Sequence, residues 1–146
     1  QGADEMNANL LFIPVFIQIL LTFILLNRMA YFRLTAIRKG HVKIKDIALG
    51  QKAWPESATK AENSFHNQFQ MPVLFYVAIV VAHLYQMYSN AFLILAFVFS
   101  ISRVVHAFIH STSNNVKYRF LFFTIGVWTL FAMWVLMALI RFGILI

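Results

Sequence analysis

Cysteine is absent from the 146 residues, which excludes disulfides, thiolate metal ligands and a protein thiol nucleophile. Acidic residues are scarce, five Asp and Glu against twelve Lys and Arg. Charged residues of both signs make up 12% of the chain, where a soluble domain carries about 25%. With five glycines and three prolines, few points can break a helix. No internal repeat or low-complexity tract stands out. Gln1–Glu5 is short and acidic, unlike the basic start of a secretory signal, so no cleavable signal peptide is expected.

What fills the space is apolar: 61% of the residues, with 16 Phe among them. The apolar residues fall into runs at about 10–27, 71–87, 91–109 and 120–140. Each reaches or nearly reaches the roughly 20 residues that carry a helix across hydrocarbon. The first pattern continues toward Arg38, and Pro14 and Pro72 stand near span ends, where a missing backbone bond costs least. The runs lack the alternation of a membrane barrel and are too long for its strands. The expected fold class is therefore all-α: an integral membrane four-helix bundle with four transmembrane helices.

The net charge of +7 would suggest nucleic acid for a soluble protein, but here it reads as topology, and no nucleic-acid partner is expected. Arg28, Arg33, Arg38, Lys39, Lys43, Lys45, Lys52 and Lys60 fall on one side of the spans, joined by Arg103, Lys117 and Arg119. Only Arg141 falls on the other. The positive-inside rule puts the basic loop, about 28–58, in the cytoplasm and both termini outside a cell membrane. Within that loop Ile44, Ile47, Ala48 and Leu49 suit a short surface turn, Trp54 a headgroup anchor, and Pro55 the start of the second helix near Glu56.

From such a start Lys60, Asn63, Asn67 and Gln70 recur at steps of three, four and three, one face of a helix. Arg103, His106 and His110 share a face of the third helix in the same way. Interhelical amide bonds worth about 0.6–2 kcal/mol each explain one or two such residues. Two stripes of amides and cations at one depth read better as a polar pocket, because unpaired polar groups seldom face lipid. His66 lies one position off the amide stripe and reads as structural, and His83 and Gln86 belong to the outer half. Arg28 suits a lipid phosphate or a ligand equally. The His106/His110 spacing is compatible with a metal, yet no HExxH, nearby acid or Cys accompanies it, and no metal is expected. Gly126 permits a close helix contact.

With these spans and the basic first loop, the runs NQFQMPVLFY (Asn67–Tyr76) and SRVVHAFIH (Ser102–His110) resemble the MAPEG family, the membrane-associated proteins in eicosanoid and glutathione metabolism. The form is divergent and bacterial-type, and the likeness covers a single domain over 7–146. The resemblance implies a homotrimer of four-helix subunits in lipid, with glutathione bound between subunits near the cytoplasmic side. It implies Arg119 and Arg103 as the catalytic cations, Arg119 matching the residue that activates the thiol. Arg28, Lys60, Asn67 and Gln70, with Asn63 from the same stripe and His106 and His110 opposite, are the implied glutathione contacts; the two histidines stand where the eicosanoid enzymes carry Tyr. Gln70 replaces an expected Glu, Lys60 matches only in approximate spacing, and Pro72 comes one position early. The expected function is that of a glutathione-dependent transferase or peroxidase acting on lipophilic electrophiles. The alternative is a non-catalytic protein of this fold, or a binder of another lipid-like anion; a subunit of a larger membrane complex is a third class.

Overall fold

The computed structural model describes residues 7–48, 50 and 53–144. Leu49 of the expected surface turn, Lys52 of the basic loop and the last two positions of the expected domain lie outside the described residues. Helix α1 spans Phe12–Arg38, with helical backbone reaching back to Asn7. It ends where Gly40 takes φ +71°. The Gly40 and His41 amides then donate back to Ile37 and Ala36 at 2.9 and 3.0 Å, occupying carbonyls the helix leaves open. A 3-10 turn at Ile44–Asp46 lies in the following loop.

The second span is two helices rather than one. Helix α2, Glu56–His66, passes through a 3-10 turn at Asn67–Phe69 into α3, Met71–Leu84. Pro72 supplies the cause: it has no N–H to give the Gln68 carbonyl, and its ring would crowd that carbonyl in a continuous helix. The break falls at Gln70, with φ −105°, ψ −106°, and Pro72 stands in the first turn of the new helix. The apolar pattern suggested helix to residue 87, but α3 stops at Leu84 and the chain turns through Gln86 at φ +55°.

Helix α4, Asn90–Ser111, starts with Ser89 Oγ accepting from the Phe92 amide. Helix α5, Val116–Arg141, starts with Asn115 Oδ1 accepting from the Lys117 and Tyr118 amides. Both are side-chain caps on otherwise open helix ends. Four segments are thus long and apolar enough to cross a membrane, and no strand occurs among the described residues. The chain is a multi-pass membrane protein built as an all-α bundle.

Its core is uneven. In one half Phe75, Ala78, Ile79 and Ala82 of α3 meet Phe92, Ala96 and Phe99 of α4 and Leu130, Met133 and Met137 of α5. The Phe75 and Phe99 rings stack with centroids 4.6 Å apart. In the other half the apolar cluster shrinks to Leu21, Leu25 and Ala107, with Phe65 against it. Many outward side chains are large and apolar, Phe16, Val80, Phe108 and Trp128 among them, the surface that lipid covers.

Candidate functional site

Where the core thins, polar groups take over. Asn63 and His66 project from the end of α2, Asn67 and Gln70 from the joint, His106 and His110 from α4, and Arg119 from the first turn of α5. All seven line one open cavity of about 510 Å³. Val116, Phe120 and Phe123 form its apolar edge. With Arg119 they follow helical steps of three, one and three, so a single face of α5 supplies both the cation and the apolar wall.

Behind Asn67 lies Arg103, fully buried. Its Nη2 donates to Asn67 Oδ1 and makes a long contact of 3.5 Å with the Asn67 carbonyl. Its guanidinium stands 5.8 Å from the Phe123 ring. Room for its stem comes from α5: a Cβ built on Gly126 would meet Arg103 Cδ at 3.4 Å and Ser102 Oγ at 3.0 Å. Gly126 therefore allows the close approach that its place in the sequence suggested.

His106 Nδ1 lies 2.9 Å from the Arg119 carbonyl. A carbonyl only accepts, so Nδ1 carries a proton and donates it. The His106 and His110 rings meet edge to face at 5.5 Å. Arg119 itself gives one N–H to Asn114 Oδ1 at 2.6 Å, which fixes the orientation of its fork. Among the described residues four buried polar atoms in this region have no partner: Arg103 Nε and Nη1, His106 Nε2 and His110 Nδ1. Buried polar groups are almost always bonded, which makes this concentration of them unusual for a packed core.

The structure brings together Asn63, Asn67, Gln70, His106, His110 and Arg119, with Arg103 one bond away. Two residues of the sequence reading lie elsewhere. Lys60 pairs with Glu56 at 2.6 Å, one helical turn back, and does not line the cavity. Arg28 gives Nη2 to the Ser111 carbonyl at 3.0 Å, filling an open acceptor at the end of α4. Conversely His66, which its register placed off the stripe, lines the cavity. The expected continuous helical face is broken at Asn67, yet the joint keeps Asn67 and Gln70 on the cavity side.

Other polar residues bind the bundle together. Ser64 Oγ donates to the Ala107 carbonyl at 3.3 Å, Gln18 Nε2 to the Ser100 carbonyl at 3.3 Å, and Ser100 Oγ to the Pro14 carbonyl at 3.0 Å. His83 stays local, 3.0 Å from the Tyr88 hydroxyl. Trp54 lies beneath the Arg33 guanidinium at 4.8 Å, and Arg33 pairs with Glu62 at 2.7 Å. Among the described residues no group of three or more His and acidic residues is arranged to hold a metal ion.

The family model described as MAPEG family matches residues 11–139, most of the chain. No curated protein and no solved structure matches it significantly.

Proposed function

The chain belongs to the MAPEG family, and from that premise we propose that it is a membrane-embedded, glutathione-dependent transferase or peroxidase acting on lipophilic electrophiles. The observation that supports this reading is the convergence of three spans on one cavity, with amides on one wall, two histidines on another, and Arg119 and the buried Arg103 beside them. The Arg119 guanidinium on the wall, with the charge of the buried Arg103 behind Asn67, suits the carboxylates of the tripeptide. Bound glutathione would supply a thiol whose thiolate form attacks an apolar electrophile or reduces a peroxide.

The chain's own residues then divide the work. Arg119, its fork oriented by Asn114, holds negative charge at the sulfur position. Asn63, Asn67 and Gln70 bond the peptide groups. Val116, Phe120 and Phe123 exclude water on the side from which an apolar substrate would enter. In this reading the protein is a homotrimer whose subunits close the open mouth of each cavity, with the basic loop cytoplasmic and both termini outside.

A second reading, binding of another lipid-like anion without glutathione use, draws support from the same apolar edge beside the cations. Titrating purified protein with glutathione separates the two. The transferase reading expects heat of binding and a rise in the ultraviolet absorbance of thiolate; Arg119→Ala removes the rise and largely spares binding. Absence of heat, thiolate signal and conjugating activity at millimolar glutathione overturns it in favour of the second reading.

A further inference from the structure

The cavity's charge is one-sided. Among the described residues no carboxylate lines it. The chain has five acidic residues, of which Asp4 and Glu5 lie outside the described residues. Asp46 belongs to the 3-10 turn of the loop, and Glu56 is bonded to Lys60 at 2.6 Å. Glu62 comes nearest, its Oε1 3.6 Å from Nε2 of His66, a cavity residue. That same oxygen is held at 2.7 Å by Arg33, whose guanidinium is in turn stacked on Trp54. Its charge is already matched. Among the described residues of one chain, then, no unmatched carboxylate borders the cavity.

Positive charge and donors, by contrast, are plentiful. Arg119 lines the cavity, and the charge of the buried Arg103 stands behind the lining amide of Asn67. An acidic group entering here meets the Arg119 guanidinium directly and the Arg103 charge at one remove. Among the described residues lining the cavity an ammonium meets only neutral acceptors, such as the Gln70 and Asn63 amide oxygens, with the Arg119 guanidinium beside them and that of Arg103 behind Asn67. Taking an ammonium from water into such a place forfeits hydration and adds repulsion, with no opposite charge to offset either.

We propose that this cavity selects acidic thiols that carry no cationic amine: small thiols bearing carboxylate or phosphate groups, with their nitrogens in amides. The inference rests on the thiol-binding reading above and ranks glutathione, which carries an ammonium, below amine-free thiols of the same acidic kind. In this view the neutral Gln70 is a specificity determinant, because it bonds an amide as readily as an amine and adds no attraction for positive charge.

The test compares glutathione with its des-amino analogue, glutaryl-cysteinyl-glycine, by titration calorimetry on the intact protein in detergent. The analogue keeps both carboxylates and the thiol and loses only the ammonium. It is expected to bind about tenfold more tightly than glutathione, the scale of a modest charge effect. Gln70→Glu, a change at an exposed side chain on the rim, is expected to shift the preference toward glutathione by about tenfold. Equal affinities, or tighter binding of glutathione, overturn the selectivity and leave the glutathione reading standing. Binding of neither thiol overturns both.

Discussion

Arg103 of α4 donates to the side-chain oxygen of Asn67, tying a fully buried cation to the joint between α2 and α3. The bond matters because Arg103 has no carboxylate partner among the described residues, and two of its nitrogens make no bond at all. Removing Asn67 Oδ1 leaves the charge with little beyond a long contact to a carbonyl. Asn67→Leu is therefore expected to lower stability by about 2–3 kcal/mol, the upper range for abandoning a partner of a charged group. Combining it with Arg103→Met removes the stranded charge and should recover more than half of that loss. Equilibrium unfolding in mixed detergent of the two single variants and the double variant measures the coupling. Strict additivity would show that the bond carries no such weight.

Gly126 gives a second test, in which two effects of similar size oppose each other. Alanine in a helix interior gains about 1 kcal/mol over glycine. Here its methyl group would meet Ser102 Oγ at 3.0 Å, and that oxygen is bonded at 2.7 Å to the Phe99 carbonyl. Gly126→Ala is expected to stay within about 1 kcal/mol of the parent, and adding Ser102→Ala should make the pair more stable than Gly126→Ala alone. Gly126→Leu has no such escape and should cost about 2–3 kcal/mol by overpacking. Thermal unfolding of the purified variants ranks them.

The membrane orientation can be tested because the chain has no cysteine of its own. Lys43, in the basic loop, and Asn90, at the start of α4, are both exposed. With single cysteines introduced at each, an impermeant thiol reagent applied to intact cells is expected to label position 90 at once and position 43 only after permeabilisation. The reverse pattern overturns the cytoplasmic placement of the loop.

Much of the architecture was written in local chemistry. The apolar runs announced the four spans, the pattern continuing toward Arg38 the length of α1, and Pro55 a start at Glu56. The departures are also physical. A continuous helical face through Lys60, Asn63, Asn67 and Gln70 ignored what Pro72 does to the turn before it. It also ignored Glu56, which sits four residues ahead of Lys60 and holds it at 2.6 Å. Both signals were present in the sequence. Arg28 was different: its acceptor is a carbonyl at the end of a helix 83 positions along the chain, which no local pattern reveals. His66 lines the cavity because it stands three residues after Asn63, on the same face of α2. The apolar edge was legible in retrospect, since Val116, Phe120 and Phe123 share a helical face with Arg119.

The apolar cluster that stacks Phe75 on Phe99 draws on the later part of the second span, the first half of α4 and the second half of α5. The cavity uses the complementary stretches of those same elements. The main apolar packing and the candidate site thus occupy different stretches along the bundle axis. An exposed lining residue such as Gln70 can change identity while the far end keeps the helices in register. A bundle arranged in this way can diversify what it binds without having to reinvent how it folds.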